Sequence, residues 1–305
     1  MKVSNGSLDG LVKGEVRYAV PMAEYTSFRV GGPVDGLVFP ADAEDLRTLL
    51  QWCRKERIPY FILGKGTNLL VRDGGIRGLA INLSQGFKRI EKLDQSSEGT
   101  TVLAEAGEAL GRFVDFSWRN DLGGLEFAAG IPGSVGGAIF MNAGAFRREM
   151  KDLLLSIALM DETGNLSEKK IAETKFSYRT MGVKKGEVIL GGRFLLAKGN
   201  RDESRGRIEE IMRQRLAKQP YDLPSAGSVF KNPASAPAGK LIEETGLKGI
   251  RIGDAQVSEK HANFIVNLGR ASAHEILELV KRVQERVYLE KGVVLEMEIQ
   301  VAGEN

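Results

Sequence analysis

The segment GGLEFAAGIPGSVGGAIFMNAGA, residues 123–145, decides how the rest of this 305-residue chain is interpreted. Seven of its 23 residues are glycine, and no charged residue occurs from Phe127 to Phe146. A membrane span would need about 20 mainly aliphatic residues, but this stretch contains Pro132, Asn142 and five glycines. A flexible linker would leave its large apolar side chains in water. We therefore expect a buried, glycine-rich loop that faces a ligand, with a purely structural loop as the alternative. Successive N–H groups in such a loop suit an anion such as a pyrophosphate.

A second glycine turn lies upstream and favours the same kind of site. Asp42 and Asp45 predict the start of a helix with one apolar face. A strand at residues 60–63 and the turn GKGTNLL at residues 64–70 follow, an order typical of an α/β nucleotide site. However, Leu69 stands where the third glycine of G-x-G-x-x-G would be, and G-x-x-x-x-G-K-[ST] does not occur. A Rossmann fold and a P-loop are therefore disfavoured.

The composition excludes several classes of function. The chain has 42% hydrophobic residues and a net charge of +3, from 43 Lys and Arg against 40 Asp and Glu. This balance is typical of a globular protein of about two domains rather than of a dedicated nucleic-acid binder. The one cysteine, Cys53, excludes an internal disulfide, and two histidines without ligand spacing predict no metal. No leader pattern and no long apolar run are present, so we expect a cytoplasmic protein without membrane contact.

Periodicity and capping residues predict the remaining elements. A helix is expected from Leu110 to a stop at Gly123 and Gly124. Residues 198–206 are rich in charge and glycine and predict a domain boundary. The last strand should alternate, with Met297 on the apolar face. Further strands are expected at residues 79–82, 101–106, 153–161, 188–197 and 293–301, and further helices around residues 208–216, 238–245 and 272–292.

Six motifs together resemble one family. They are GKGTNLL (64–70), AAGIPGSVGGAIFMNAGA (128–145), SYR (177–179), KQPYDLPSAGSVFKNP (218–233), GLKGIRIGDAQVSEKHANFIVN (246–267) and LEMEI (295–299). In order and spacing, over nearly the whole chain, they resemble the UDP-N-acetylenolpyruvoylglucosamine reductase family. The segment from Arg179 to Lys218 is too short for a tyrosine-bearing substrate lid, so the resemblance is to the shorter subclass.

The resemblance implies an α+β fold with two domains. Residues 1–205 would form an FAD-binding domain of the vanillyl-alcohol oxidase (PCMH) type, with subdomains at about residues 20–82 and 83–205. Residues 206–305 would form an α+β domain that binds the substrate.

The same resemblance, together with the two glycine-rich loops, assigns the cofactor. The loops would supply backbone donors and small polar side chains around the FAD pyrophosphate. Since neither histidine lies in residues 1–205 and Cys53 has core spacing, FAD should be bound non-covalently. The expected FAD-binding residues are Gly64, Lys65, Gly66, Thr67, Asn68, Leu69, Ala129, Gly130, Pro132, Ser134, Val135, Gly136, Gly137, Asn142, Gly144 and Ala145.

The resemblance also implies the reaction. Members of the family use NADPH to reduce FAD, and hydride then passes to C3 of UDP-N-acetylglucosamine enolpyruvate, giving UDP-N-acetylmuramate for peptidoglycan. Negative charge grows at C2 during this step. A fixed cation about 4 Å away would stabilise that charge by on the order of 4 kcal/mol at an effective dielectric near 20. Arg179 matches the stabilising arginine. Ser228 matches the general acid of the family. A serine can serve in this role because the carbanion at C2 is basic enough to take a proton from a hydroxyl.

Acidic and substrate-binding residues complete the expected site. Glu296 and Glu298 would share one face of the last strand, so strand parity cannot choose between them. The resemblance favours Glu298, which we expect to be protonated in the complex and to donate a hydrogen bond to the substrate carboxylate. The residues expected to hold the diphosphate and other polar groups of the substrate are Lys218, Asn232, Arg215 and Tyr178.

Two other functions compete with this interpretation. One is a different FAD oxidoreductase of the same fold, acting on a hydroxy acid or an alcohol; it would not explain the motif SAGSVFKNP at residues 225–233. The other is a non-catalytic nucleotide-binding or RNA-binding protein, which only the slightly basic composition suggests. No obligate protein partner is evident from the sequence.

Overall fold

The structure is a computed structural model that describes Val3, residues 6–174 and residues 176–305, apart from the side chain of residue 177. The α-helices in these ranges are α1 (Ala43–Glu56), α2 (Leu110–Arg119), α3 (Val135–Phe140), α4 (Arg201–Lys218), α5 (Ala238–Glu244) and α6 (Ala273–Lys291). The strands are β1 (Glu15–Pro21), β2 (Pro33–Phe39), β3 (Tyr60–Leu63), β4 (Leu69–Val71), β5 (Ile76–Asn82), β6 (Ile90–Gln95), β7 (Thr100–Glu105), β8 (Leu122–Gly123), β9 (Gly144–Ala145), β10 (Arg148–Glu149), β11 (Leu154–Met160), β12 (Leu166–Lys170), β13 (Phe176–Ser177), β14 (Thr180–Met181), β15 (Val188–Lys198), β16 (Arg251–Ile252), β17 (Ala255–Val257), β18 (Ile265–Asn267) and β19 (Gln300–Ala302).

The chain forms two compact units, each with its own buried apolar core. Of the described residues, the first unit comprises Val3, residues 6–18, 36–64, 78–174 and 176–214, and the second comprises residues 19–35, 65–77 and 215–305. The boundary expected between residues 205 and 206 falls inside helix α4. The domain limits given above stay a prediction. The mixture of helices and sheets confirms the expected α+β class.

The first unit is built on a mainly antiparallel sheet of order β12-β11-β15-β7-β6, with β8 paired to β15. Helices α2 and α3 pack on this sheet, and the rings of Phe113 and Phe194 lie 4.9 Å apart in its core. A second sheet has the order β1-β2-β5-β3, in which β3 and β5 run parallel. The second unit contains the sheet β16-β17-β18, the parallel pair β4 and β19, and helices α5 and α6.

Elements with clear local signals agree with the sequence. Asp42 caps α1 by accepting the N–H of Asp45 at 2.8 Å, and Cys53 is buried on its apolar face. Ser272 and Glu275 form the predicted capping box of α6, and Gly292 ends that helix in the left-handed conformation. Strands β3, β5, β7, β11 and β15 lie close to the predicted positions.

Three predictions of elements are wrong, and several strands, among them β1, β6, β12 and β16 to β18, were not predicted. Helix α2 ends at Arg119, and Gly123 instead pairs with Ala197 in a short strand. Helix α4 begins at Arg201, within the expected boundary loop, because the side chain of Asn200 accepts the N–H groups of the first turn.

The third wrong prediction concerns the last strand. Residues 293–301 do not form one strand, because this segment changes partner along its length. Its residues 296–298 bond to residues 229–231, whereas Gln300 bonds to Asn68. Met297, expected on the apolar face, is exposed.

A buried carboxylate near the start of α1 gives a stability prediction. Asp45 is 2% exposed and accepts the N–H groups of Lys13, Gly14 and Ala41 at 2.8–2.9 Å. Asp45→Ala should lower the free energy of unfolding by about 2 kcal/mol in urea titrations, because three partly buried donors lose their acceptor. The neighbouring Glu44→Ala, at an exposed site, should change it by less than about 0.5 kcal/mol. Equal small effects of the two substitutions would contradict this role.

Within the described ranges, no helix is long and apolar enough to cross a membrane. The same residues contain no group of three or more His, Cys, Asp or Glu side chains that could hold a metal ion.

Candidate active site

The central glycine-rich segment is more ordered than a loop. After Gly133, in the left-handed conformation, Ser134 caps α3 and its Oγ accepts the N–H of Gly137 at 3.2 Å. The N–H groups of Val135 and Gly136 donate to the carbonyls of Glu108 and Ala106 at 2.8 and 2.9 Å. These three N–H groups are therefore already bonded within the protein. Any contact of residues 135–137 with a cofactor would use other atoms.

The two glycine-rich loops meet in the first unit. A Cβ atom on Gly64 would lie 2.9 Å from Ser134 Oγ, closer than real side chains approach. Asn82 also fixes the backbone of Gly64, because its Nδ2 donates to the carbonyl of Gly64 at 3.2 Å. The structure thus brings together the end of β3 and the start of α3, as the cofactor prediction requires.

The rest of the first loop lies in the second unit. Gly66 has φ +63°, and a Cβ there would be 1.9 Å from the carbonyl oxygen of Tyr25. The N–H of Ser27 donates to the carbonyl of Gly66 at 3.0 Å. Only glycine therefore fits this position. Lys65 beside it is exposed, and Thr67 is half-buried.

Part of the uncharged central segment is exposed at the surface. Between Phe127 and Phe146 there is no charge, yet Pro132, Gly137 and Phe140 are exposed. Around Gly137, a Cβ would meet only Ser134 Oγ, at 3.4 Å. An uncharged exposed surface next to a glycine without near neighbours is typical of a ligand site.

Arg179 lies beside the central segment in the first unit. Its Nη2 donates to the carbonyl of Gly144 at 3.2 Å, and its guanidinium carbon lies 5.1 Å from the ring centroid of the exposed Tyr178. The backbone of Arg179 has φ +59°, which is rare for a residue other than glycine. Such strain is often found at functional positions.

The base of the β9–β10 hairpin is held by a buried amide. Asn142 donates to Glu149 at 2.9 Å and accepts the N–H of Lys151 at 3.1 Å. Burial would raise the pKa of Glu149, but hydrogen bonds from Lys151 and Asn142, with a smaller contribution from Arg179, lower it. Glu149 is therefore ionised at neutral pH. The side chain of Asn142 positions the hairpin, a role that its residue type did not indicate.

The second unit brings three predicted residues together from distant parts of the chain. The N–H of Glu298 donates to the carbonyl of Val229, next to Ser228, at 2.8 Å. Asn68 of the first glycine loop donates its Nδ2 to the carbonyl of Glu298 at 3.0 Å. Ser228 is half-buried, and its hydroxyl makes no hydrogen bond with any residue that the structure describes. This hydroxyl is available to a ligand.

The two glutamates that strand parity could not separate have different surroundings. Glu296 is 72% exposed and forms an ion pair with Lys231 at 2.5 Å. Glu298 is half-buried, with its backbone bonded to Val229 and Asn68. These surroundings favour Glu298 as the residue next to Ser228.

Of the four residues expected to bind substrate, Tyr178 lies against Arg179, and the other three differ in what they contact. Lys218 is exposed at the end of α4. Arg215 is half-buried, and its Nε is buried without a hydrogen-bond partner among the described residues, as expected of a group that binds an anion. Asn232 accepts the N–H of Ala238 at 2.9 Å and so fixes the start of α5.

Comparison with known proteins identifies the family. A family model described as the C-terminal domain of UDP-N-acetylenolpyruvoylglucosamine reductase matches residues 219–302, and an FAD binding domain model matches residues 34–168. The UDP-N-acetylenolpyruvoylglucosamine reductase of Syntrophus aciditrophicus is 45% identical over 298 residues, covering 98% of this chain and 95% of the relative. The chain belongs to the UDP-N-acetylenolpyruvoylglucosamine reductase family. The resemblance seen in the sequence is confirmed.

Other members of this family agree. The enzyme of that name from Clostridioides difficile is 44% identical, covering 98% of this chain and 97% of its own. The crystal structure of the reductase from Thermus caldophilus matches with a TM-score of 0.80 and 37% identity, covering 95% of this chain and 98% of that chain. The expected combination of an FAD-binding domain and a reductase C-terminal domain is confirmed.

Proposed function

We propose that this protein is an NADPH-dependent reductase with FAD as cofactor, which converts UDP-N-acetylglucosamine enolpyruvate to UDP-N-acetylmuramate. The observation that carries the proposal is the arrangement in the second unit. There, the backbone of Glu298 is bonded to Val229, the residue after Ser228, and to Asn68 of the glycine loop, while the hydroxyl of Ser228 makes no hydrogen bond with the described residues. The names of the family members support the substrate. We place the activity in the cytoplasm, in peptidoglycan precursor synthesis.

The residues of the two glycine-rich loops would hold the cofactor, with Gly137 giving close backbone approach, while Gly64 and Gly66 allow the loops to pack against Ser134 and Tyr25. When bound, FAD supplies the redox chemistry, taking hydride from NADPH and passing it to C3 of the enolpyruvyl group. Binding at these loops would leave the charged groups of the chain for the substrate. The uncharged surface of the central segment supports this division.

The side chains of this protein would then have separate tasks. Arg179 would stabilise the negative charge that grows at C2 and in the adjacent carboxylate. Ser228 would donate its hydroxyl proton to C2. Glu298, protonated, would donate a hydrogen bond to the substrate carboxylate. Arg215 and Lys218 would bind the diphosphate, since the unpaired Nε of Arg215 suits an anion.

The test of the function follows the flavin colour in both directions. Under anaerobic conditions NADPH should bleach the yellow protein, and the UDP-enolpyruvyl sugar should then restore the colour with one equivalent of UDP-N-acetylmuramate. If a hydroxy acid or an alcohol bleaches the protein while the sugar fails to restore its colour, the other oxidoreductase function is correct. A colourless protein that binds polynucleotides in a salt-sensitive manner would support the non-catalytic alternative.

The mode of cofactor attachment gives a separate prediction. The protein should purify with FAD that is released completely by acid or heat, because residues 1–205 contain no histidine. The thiol of Cys53 is buried, and burial raises its pKa to about 12, so it is a poor nucleophile. Cys53→Ala should retain the same FAD content. Yellow colour that stays with the precipitated chain would contradict non-covalent binding.

A further inference from the structure

Besides their bonds to residues 296–298, the residues after Ser228 are bonded to one asparagine that the sequence did not single out. The carbonyl of Asn263 accepts the N–H of Val229 at 2.9 Å. Its side chain pairs with both backbone groups of Phe230, accepting the N–H at 3.0 Å and donating to the carbonyl at 2.8 Å. Asn263 and Phe230 are 4% and 2% exposed, so water does not compete for these bonds. One residue thus fixes three backbone groups directly after Ser228.

The chain before Ser228 is less constrained. Gly227 has φ +74°, and a Cβ there would meet nothing within 4 Å. The next backbone bond upstream is at Pro224, whose carbonyl accepts the N–H of Asn267 at 2.9 Å. Because Ser228 has no side-chain hydrogen bond of its own, the position of its hydroxyl depends on the backbone beside it, which the bonds to Asn263 hold together with the bond from the N–H of Glu298 to Val229.

The side chain of His261 supports Asn263. Its Nδ1 accepts the N–H of Asn263 at 3.2 Å, which requires a neutral imidazole. Burial lowers the pKa of His261, and Lys248 acts in the same direction, whereas Glu243 raises it. The ring also packs against Phe264, with centroids 4.8 Å apart. At neutral pH the acceptor is therefore present.

We propose that Asn263 is a positioning residue for the proton transfer from Ser228. The inference rests on the proposed function. C3 receives hydride from the reduced cofactor, the C2=C3 double bond becomes single, and C2 takes the proton of Ser228 Oγ. The serine oxygen then regains a proton from water. A displacement of about 1 Å in the donor can cost about 100-fold in such a step, so a fixed backbone after Ser228 matters for rate.

The test uses Asn263→Asp. This substitution keeps the oxygen that accepts the N–H of Phe230 but replaces the amide donor with a carboxylate oxygen opposite the carbonyl of Phe230. At pH 8 the reoxidation of reduced flavin by the enolpyruvyl sugar should be about 10- to 100-fold slower than in the wild type. Reduction of FAD by NADPH should stay within about 3-fold. Protonation of the new carboxyl restores a donor, so reoxidation should recover as the pH falls. The neighbouring charged and titratable groups, His261, Lys248 and Glu243, are the same in both proteins, so the rate relative to the wild type at each pH corrects for the loss of the His261 acceptor when its imidazole is protonated.

The matched control is Asn267→Asp, at the other end of β18. Asn267 is 2% exposed, and its side chain bonds to Phe28, Gly269 and Ala271 but not to residues 229–231. It should show no selective slowing and no recovery at low pH. Equal slowing of both half-reactions, or the same pH profile in the control, would overturn the proposal. Failure of the wild type to be reoxidised by the sugar would instead refute the proposed function.

A measurement without cofactor or substrate completes the test. At pH 8, amide hydrogen exchange at Val229 and Phe230 should be faster in Asn263→Asp than in the wild type and in the control, because repulsion between the new carboxylate and the carbonyl of Phe230 loosens the segment, although both N–H groups keep their acceptors. If the variant does not fold, His261→Gln takes its place and should slow reoxidation a few-fold without affecting reduction by NADPH. Unchanged exchange, or equal slowing of both half-reactions in His261→Gln, would show that the segment is positioned by other contacts.

Discussion

Ser228→Ala should slow the reoxidation of reduced flavin by the enolpyruvyl sugar by at least about 100-fold, and by up to about 10,000-fold, the range typical of a general acid. NADPH should still reduce the FAD at nearly the wild-type rate. The hydroxyl of Ser228 makes no hydrogen bond with the described residues, so its removal leaves no partner unsatisfied. The fold should therefore be unaffected. Stopped-flow absorbance of the flavin measures both half-reactions separately.

The control for this prediction lies three residues upstream. Ser225→Ala removes a half-buried hydroxyl of the same loop that also lacks a hydrogen bond among the described residues. It should leave both half-reactions near wild type. Ser228→Cys, which keeps a weak proton donor, should be faster than Ser228→Ala. Equal slowing of both half-reactions in Ser228→Ala would instead mark Ser228 as a structural turn residue.

The sequence predicted an element correctly where residues within that element determine its start and its end. The capped helices α1 and α6 were predicted because Asp42 and Ser272 act within one turn of their own position. The last segment was predicted wrongly because its conformation is set by distant partners. Residues 296–298 bond to residues 229–231, and Gln300 bonds to Asn68, which lies more than 200 positions away. Alternation of side chains carries no information about such a change of partner.

The same distinction applies to the candidate site. The density of glycine indicated both loops, whereas Ser228 and Arg179 were proposed only from the family resemblance, because a serine or an arginine alone is not distinctive. The pattern could not show that the N–H groups of Val135 and Gly136 are already bonded to a loop near residue 107. It also could not indicate Asn263, which precedes an apolar strand as any turn asparagine would. Its role follows only from bonds across 33 positions.

Glu298→Ala should slow the substrate half-reaction by about 100- to 1000-fold, the cost of removing one donor from a developing negative charge. Beside a substrate carboxylate and a growing negative charge, an ionised glutamate would repel the intermediate, so burial and like charge should keep Glu298 protonated in the complex. The backbone of Glu298 is bonded to Val229 and Asn68, which places the residue beside Ser228. Reduction of FAD by NADPH should change little.

Two amide substitutions decide which glutamate acts. Glu298→Gln keeps a hydrogen-bond donor, so it should retain more activity than Glu298→Ala and lose the pH dependence that comes from its protonation. Glu296→Gln should stay near wild type, because Glu296 is exposed and its ion pair with Lys231 at 2.5 Å is a surface contact. If Glu296→Gln is the slow variant, the assignment to Glu298 is wrong. In that case the pair of Lys231 and Glu296, not the backbone bonds of Glu298, would hold the acidic group used by the reaction.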